Sequence, residues 1–256
     1  MKIRALLFDL DGTIYHGNYL IPGAIETLLT FKNASIPYRF VTNCTRMTKK
    51  EIVLMLGNMG MVVSPDDIFA APHAAAKYCH KKGYKKILLA IPNKEMAEDF
   101  IDFQLVDHNP EAIVLGDMGS GFTFNLINNL FNQILNGAEL VAMHKNRYWL
   151  SNDGCRLDVG AFVSALEYAS GKPASIIGKP NSNLFVLASE KWNIPADKIV
   201  MIGDDIEGDV RGALSAGMKS VLVKTGKFRE EILQSSAIKP NYIIDSIADL
   251  PSIINL

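Results

Sequence analysis

The sequence lacks an excess of charge of either sign. It has 26 Lys and Arg residues against 27 Asp and Glu residues, which gives a formal net charge of −1. A nucleic-acid partner would favour a basic excess, and an acidic tail would require a block of like charges, so composition argues against both. We therefore expect a protein without a nucleic-acid partner.

Cysteine is also scarce. The three cysteines, Cys44, Cys79 and Cys155, are widely spaced, and none belongs to a Cys-x-x-Cys pair. An odd, scattered set argues against a disulfide framework and favours a reducing compartment. We interpret each as a small buried apolar residue, and Cys44 is of added interest because it lies beside a candidate site.

Long hydrophobic runs are missing as well. No uncharged apolar run approaches the roughly 18 residues that a membrane span requires. The apolar run near the first residue is short and ends at Asp9, so it does not resemble a signal peptide. These absences predict a soluble, cytoplasmic protein with no membrane partner.

What the sequence does have is a regular alternation of strand and helix patterns. Apolar strand patterns at 3–8, 36–41 and 199–202 alternate with helical patterns such as 49–59 and 210–216. Such alternation favours right-handed crossovers on a parallel sheet. The predicted fold class is α/β, with a Rossmann-like, doubly wound parallel sheet as the core.

The alternation restarts near Lys85, and the block that follows has no acidic motif of its own. We therefore predict an inserted α/β domain over 83–173 and a core formed by 1–82 and 174–256. No linker rich in Pro or Ser marks either boundary, so the division depends on where the motifs fall.

Two carboxylates, Asp9 and Asp11, stand at the end of the first predicted strand. Ligands of open α/β sheets bind beyond the carboxyl ends of the strands. Two like charges so close together need a cation, or one of them must hold a proton. An ordinary turn containing Asp and Gly is the alternative for this motif taken alone.

Three further strand ends carry polar groups. Thr42 and Asn43 follow the second strand, Lys179 follows a strand near 175–177, and an acidic run, including Asp204, Asp205 and Asp209, follows the strand 199–202. Taken singly, Lys179 could be a surface lysine and the acidic run could cap a helix. Together, carboxylates for a hard cation such as Mg²⁺ and donors for an anion indicate a phosphoryl-binding site.

In their order and spacing these four motifs resemble those of the haloacid dehalogenase (HAD) superfamily of phosphatases. The insertion resembles the large C2-type cap of the NagD-like subclass IIA. Further segments resemble the branch that contains phospholysine phosphohistidine inorganic pyrophosphate phosphatase, among them Leu157-Asp158-Val159-Gly160 and Lys224-Thr225-Gly226-Lys227-Phe228-Arg229.

The resemblance implies a Mg²⁺-dependent hydrolase acting on a small phosphate ester, a pyrophosphate or a phosphoamide. Asp9 would form an aspartyl-phosphate, and Asp11 would be the general acid and base. Mg²⁺ would be held by Asp9, Asp204 and the backbone carbonyl of Asp11, while Asp205 and Asp209 orient these ligands through water. The phosphate would contact Asp9, Asp11, Thr42, Asn43 and Lys179.

The inserted domain would close over the pocket and contact the leaving group of a small phosphorylated metabolite. Its candidate contacts are Asp158 and Gly160, although a helix N-cap followed by a small residue explains them equally well. Relatives in this class often pair through their caps, so a homodimer formed in this way is a further expectation.

Two departures from the family pattern bear on activity. Animal members of the branch often have Ser where this chain has Asp11, so hydrolysis of an ordinary phosphate monoester is favoured here over the specificity of that branch. The second motif reads Thr42-Asn43-Cys44 where NagD-like proteins commonly have Thr-Asn-Asn. The alternatives are a regulatory protein that binds phosphate or Mg²⁺ without turnover, and a phosphomutase.

Overall fold

A computed structural model describes residues 3–151 and 154–254 of the chain. The chain divides into two compact units, each assembled from more than one segment. The first unit comprises Met1–Thr42, Lys49–Phe69 and Lys179–Leu256, and the second comprises Asn43–Thr48 and Ala70–Gly178.

The strands of the described residues, numbered in chain order, are β1 (Ala5–Phe8), β2 (Tyr15–His16), β3 (Tyr19–Leu20), β4 (Tyr38–Thr42), β5 (Ile68–Ala70), β6 (Lys86–Ala90), β7 (Gln104–Leu105), β8 (Ala112–Leu115), β9 (Glu139–Ala142), β10 (Tyr148–Ser151), β11 (Gly154–Leu157), β12 (Ser175–Ile176), β13 (Ile199–Gly203), β14 (Lys219–Val223) and β15 (Tyr242–Ile244).

The α-helices over the same residues are α1 (Ala24–Asn33), α2 (Lys49–Asn58), α3 (Ala71–Lys82), α4 (Phe124–Leu135), α5 (Val159–Ser170), α6 (Ser182–Ser189), α7 (Arg211–Ser215), α8 (Glu230–Ser235) and α9 (Leu250–Ile253). A π-helix, Ile206–Val210, leads directly into α7, and a 3-10 helix spans Lys94–Phe100. No helix among the described residues is both long enough and apolar enough to cross a membrane.

The first unit is built on a six-stranded sheet in the order β15-β14-β13-β1-β4-β5. β1 pairs in parallel with β13 on one side and with β4 on the other. All four residues of β1 are buried, as expected for a parallel strand covered on both faces. The residues that follow β1, β4 and β13 therefore emerge at the same edge of this sheet.

The second unit has its own five-stranded sheet, in the order β12-β9-β8-β6-β7, and every pair in it is parallel. Its core lies between this sheet and the helices α4 and α5, and includes Ile113, Leu130 and Val163. β10 and β11 form a separate antiparallel hairpin.

The predicted α/β class with parallel sheets is confirmed. The second unit combines Asn43–Thr48 with Ala70–Gly178, and its longer segment extends beyond the predicted insertion over 83–173. The physical reason is that α3 packs against the 3-10 helix Lys94–Phe100 of the second unit. α3 ends at Gly83, which has a φ of 80° and donates its N–H to the carbonyls of Cys79 and His80.

Candidate active site

Asp9 lies directly after β1, at the edge where the strands of the first unit end. Its backbone N–H donates to the carbonyl of Ile202 at 2.8 Å, which continues the pairing of β1 with β13. The residue is 8% exposed, whereas Asp11 is exposed. Gly12 then turns the chain with a φ of 87°, a conformation that only glycine adopts readily.

Lys179 is a buried residue, which excludes the surface-lysine interpretation. Its Nζ contacts the carboxylate of Asp9 and lies 2.7 Å from Oδ1 of Asp209. Burial lowers the pKa of Lys179, but the carboxylates of Asp209 and Asp9 outweigh it, so the net pKa is raised. The side chain is therefore a fixed cation between two carboxylates.

Three carboxylates converge around this lysine. Oxygen atoms of Asp9, Asp204 and Asp209 all lie within 4.8 Å of one another. Burial, reinforced by Asp9 and then by Asp209, raises the pKa of Asp204 to about 8. Burial also raises the pKa of Asp209 to about 7, with Lys179 opposing the shift and Asp9 adding to it. Three carboxylates thus share one ammonium group, and without a further cation the charged forms of Asp204 and Asp209 are disfavoured.

The hydrogen bonding of Asp204 indicates that the carboxylate cluster suits a magnesium ion. Oδ1 of Asp204 is buried and has no hydrogen-bond partner among the described residues, whereas Oδ2 accepts the backbone N–H of Lys227 at 2.6 Å. A buried carboxylate oxygen without a partner is costly, and a hard cation would satisfy it. Oxygen ligands without sulfur or imidazole favour Mg²⁺ over softer metals.

Asp209 and Asp205 have different positions, although the same role is predicted for both. Asp209 is 1% exposed and lies inside the carboxylate cluster. Asp205 instead begins the π-helix, where its Oδ1 accepts the N–H groups of Glu207 and Gly208, each at 2.9 Å. The backbone N–H of Asp205 donates to Oδ2 of Asp209 at 3.2 Å and helps to hold it. The predicted role of each in orienting metal ligands through water stays a prediction.

Thr42 and Asn43 fall on either side of the division between the units. Thr42 is a buried residue at the end of β4, the neighbour of β1. Asn43 belongs to the second unit, where its side chain lies so close to Gly178 that a Cβ there would be 2.5 Å from Oδ1 of Asn43. Their predicted contacts with phosphate stay predictions.

Comparison with known proteins identifies the family. A haloacid dehalogenase-like hydrolase model matches residues 6–105, and a HAD-hydrolase-like model matches residues 176–250. The haloacid dehalogenase-like hydrolase domain-containing protein 2 of Bos taurus is 38% identical over 227 residues, covering 89% of this chain and 86% of that protein. The chain belongs to the haloacid dehalogenase-like hydrolases.

Other relatives of the chain are named as phosphatases. The human phospholysine phosphohistidine inorganic pyrophosphate phosphatase is 34% identical over 254 residues, covering 96% of this chain and 92% of that protein. A 4-nitrophenylphosphatase from Thermotoga maritima has a TM-score of 0.92 at 28% identity, covering 99% of this chain and 98% of the other. NagD from E. coli K-12 shares the fold, with a TM-score of 0.89 at 22% identity, covering 97% and 98%.

These findings confirm two of the predictions made from the sequence. The resemblance to HAD-type, NagD-like proteins and to the phospholysine phosphohistidine inorganic pyrophosphate phosphatase branch is confirmed by both family matches and relatives. The prediction that the chain is a hydrolase of this family is confirmed as well.

One part of the site was not predicted from the sequence. The segment 224–229, which we call the Lys224 loop, contacts the turn that follows Asp11. The hydroxyl of Thr225 donates to the carbonyl of Gly12, and a Cβ on Gly226 would overlap Oδ2 of Asp204. The family resemblance was the one indication of the Lys224 loop in the sequence, because the loop itself has no charge pattern or spacing that indicates a ligand.

Asp158 and Gly160 have structural roles within the second unit. Asp158 is the N-cap of α5, and its Oδ1 accepts the N–H of Val159 at 2.7 Å. A Cβ on Gly160 would overlap the carbonyl oxygen of Asn146, so close backbone packing requires glycine there. The N-cap alternative therefore accounts for both residues, and their contact with substrate stays a prediction.

Proposed function

We propose that this protein is a Mg²⁺-dependent phosphatase that hydrolyses a small phosphate ester through an aspartyl-phosphate on Asp9. The observation that carries the proposal is the contact of Asp9 with buried Lys179, inside a cluster where Asp204 has an unsatisfied carboxylate oxygen. Membership of the hydrolase family and the phosphatases among the relatives support phosphate hydrolysis.

In the first half of the reaction a carboxylate oxygen of Asp9 attacks phosphorus, and the bond from phosphorus to the leaving oxygen breaks. Asp11 donates its proton to that leaving oxygen. Bound Mg²⁺, held by Asp9, Asp204 and the carbonyl of Asp11, would supply positive charge so that one anion can approach another. Lys179 adds a fixed positive charge beside the nucleophile.

In the second half a water molecule attacks phosphorus and displaces the carboxylate of Asp9, while Asp11 accepts the proton of that water. Asp11 must therefore begin the cycle protonated. Partial desolvation of its carboxyl group, and after it the charge of Asp9, raises the pKa of Asp11, which favours the protonated form at higher pH than for an ordinary carboxyl group. Phosphate and the alcohol are the products, and both Asp residues return to their initial states.

Hydrolysis of 4-nitrophenyl phosphate in the presence of Mg²⁺ tests the proposal. We expect Asp9→Asn to lower kcat by more than about a thousandfold, because no other carboxylate can replace the nucleophile. Asp245→Asn is the matched control, since Asp245 is an exposed acid paired with Lys224 outside the cluster. Full activity of Asp9→Asn, or full activity of the wild type in excess EDTA, would contradict the proposal.

Asp11→Asn separates the phosphatase from the alternatives. Loss of the base should slow the second half more than the first when the leaving group is a good one, so a 4-nitrophenolate burst should precede slow turnover. A regulatory phosphoacceptor would release no more than one equivalent of phosphate in the wild type, and a phosphomutase would return the group to an acceptor. Continuous release of phosphate by the wild type would contradict both.

The substrate is proposed at the level of class, as a small phosphorylated metabolite. The human relative is named for phospholysine, phosphohistidine and inorganic pyrophosphate. Because Asp11 can protonate an alkoxide, we propose that this chain favours ordinary phosphate monoesters. A panel of phosphate esters compared with pyrophosphate and a phosphoamide tests this preference through kcat/KM.

A further inference from the structure

The Lys224 loop is attached to the catalytic turn through its backbone. The carbonyl of Gly12 accepts the hydroxyl of Thr225, and Oδ2 of Asp204 accepts the N–H of Lys227. Between these two bonds, Gly226 lies so close to Gly12 that an added Cβ would be 2.5 Å from the Cα of Gly12. The backbone of Lys227 is therefore held against the carboxylate cluster.

The side chain of Lys227, in contrast, extends into solvent. It is 63% exposed, and its Nζ lies 3.6 Å from Oδ2 of Asp205. Lys179 is 6% exposed and lies between two carboxylates of the cluster. Lysine has a flexible four-carbon stem and a compact charge, so an exposed lysine can change partner at little cost. Lys227 thus supplies an ammonium group that can turn towards a bound substrate.

The balance of charges around the site indicates a role for the ammonium group of Lys227. Five carboxylates surround the turn, those of Asp9, Asp11, Asp204, Asp205 and Asp209, against the ammonium groups of Lys179 and Lys227. With a divalent cation bound and Asp11 protonated, the remaining four carboxylates balance the positive charges, and the phosphate of the substrate adds further negative charge. An additional anionic group on a substrate would therefore be repelled unless a nearby cation received it.

The position of Lys227 determines which part of the substrate it could reach. Lys227 directly follows Gly226, which lies against Gly12, and Gly12 directly follows Asp11, the residue proposed to protonate the leaving oxygen. Partial desolvation beside the acidic cluster lowers the pKa of Lys227, but the carboxylates of Asp205, Asp9, Asp204 and Asp209 outweigh it, so the net pKa is raised and Lys227 is positively charged at neutral pH. A cation near Asp11 lies on the side of the leaving group.

We propose that Lys227 binds an anionic group carried by the leaving group, and that the preferred substrates are phosphate esters with a carboxylate or a second phosphate a few atoms from the bridging oxygen. This inference rests on the proposed phosphatase function. It assigns Lys227 a role in substrate selection, distinct from that of Lys179, which faces the nucleophile.

Three esters with the same two-carbon skeleton test the inference, namely ethyl phosphate, 2-phosphoglycolate and ethanolamine phosphate. Their far ends are neutral, negative and positive. In Lys227→Met, the ratio of kcat/KM for 2-phosphoglycolate to that for ethyl phosphate should fall about tenfold, because a charge-assisted hydrogen bond is lost. The ratio for ethanolamine phosphate should rise. Lys227→Arg should restore much of the wild-type preference.

Lys224→Met is the matched control, since Lys224 belongs to the same loop but pairs with Asp245 at 2.9 Å. It should keep the wild-type order of the three esters. Equal losses on all three esters in Lys227→Met, or no change in their ratios, would overturn the inference. Thermal unfolding of each variant verifies that the fold is retained.

A binding measurement keeps the test independent of turnover. The phosphonates 3-phosphonopropionate and propylphosphonate replace the bridging oxygen with carbon, so neither can be hydrolysed in this way. Calorimetry should show that Lys227→Met weakens 3-phosphonopropionate about tenfold more than propylphosphonate. If the wild type hydrolyses no ester, the proposed function fails, and this comparison still decides the role of Lys227.

Discussion

Asp204 is a buried carboxylate that is subject to electrostatic repulsion within the site. It is 2% exposed, it lies near two other carboxylates, and one of its oxygens has no hydrogen-bond partner in the part of the chain that the structure describes. Burying a charge without compensation lowers the stability of the folded protein. Residues buried in this way usually belong to functional sites. Without a cation, protons are the remaining means of relieving the repulsion.

The stability of the metal-free protein should therefore fall as pH rises. In the folded protein the pKa of Asp204 is raised from its ordinary value of 3.8 to about 8, and that of Asp209 from 3.8 to about 7. Between the ordinary and the raised values, the folded state therefore binds more protons than the unfolded state. By linkage, the free energy of unfolding decreases over this range and levels off above pH 8. Thermal unfolding in EDTA from pH 5 to pH 8 measures the effect.

Asp204→Asn should weaken this pH dependence and raise the metal-free Tm at pH 8 by several degrees, at about 2–4 °C per kcal/mol for a chain of this size. Asp197→Asn is the control, because Asp197 is 60% exposed and pairs with Lys198. Mg²⁺ should raise the Tm of the wild type and of the control, and should raise that of Asp204→Asn much less. A wild-type Tm that rises from pH 5 to pH 8 in EDTA would refute the argument.

Among the elements, the Lys224 loop depends on two glycines that face each other. Gly12 and Gly226 have φ values of 87° and 55°, and a Cβ on either would overlap Oδ2 of Asp204. Their small size thus lets two loops meet over one carboxylate. A larger residue would displace the carboxylate that is expected to hold the metal.

Gly226→Ala should lower both activity and Mg²⁺ affinity about tenfold or more, as other changes that disturb metal-ligand orientation do. Gly17→Ala separates this effect from backbone strain. Gly17 has a φ of 59°, but an added Cβ would meet nothing within 4 Å. In both variants, placing alanine in the left-handed conformation costs about 1 kcal/mol of stability. A comparable Mg²⁺ affinity in the two would therefore show that the contact with Asp204 is unimportant. Calorimetric titration with Mg²⁺ gives the affinities.

The sequence predicted the elements that form the first-unit sheet better than it predicted the short ones. Continuous apolar runs identify buried parallel strands such as β1 and β13, and the acids that follow them do come together. The hairpin of β2 and β3 was missed because each strand has two residues, too few to show a period. The segment Lys94–Phe100 is a 3-10 helix, which the sequence pattern alone does not distinguish from an α-helix.

For the site as well, the dependence on long-range contacts limits what could be predicted from the sequence. Motif order brought Asp9, Lys179 and Asp204 into one prediction, because strand topology alone places such residues together. Nothing in local pattern distinguishes Asp209, which joins the carboxylate cluster, from Asp205, which caps the π-helix. That difference depends on the helical turn between them, whose π geometry the sequence does not indicate.

At the scale of the whole molecule, each unit has its own sheet and its own polar network. In the second unit, Glu139 on β9 accepts the hydroxyl of Tyr78 at 2.6 Å and that of Ser175 at 2.5 Å, and it also accepts the hydroxyl of Tyr84. Burial raises the pKa of Glu139, but these hydrogen bonds outweigh it, so the net pKa is lowered. The network connects α3 to β9 and β12.

Glu139→Gln should destabilise the second unit by about 1–3 kcal/mol, because hydrogen bonds to a charged acceptor are lost. Amide hydrogen exchange should become faster in α3, β9 and β12, while β1 and β13 of the first unit keep their protection. Glu95→Gln, at an exposed position of the second unit, serves as the control. Equal acceleration in both sheets would indicate that the two units unfold together.

The discontinuity of the first unit has a consequence for protein synthesis. Asp9 leaves the ribosome before the other residues of the cluster, since Lys179, which contacts it, follows 170 positions later, and Asp204 later still. The segments of the second unit are all complete by Gly178, before β13 has been translated. A nascent chain can therefore finish its inserted unit first, and the carboxylate cluster can assemble only after Asp209 has been translated.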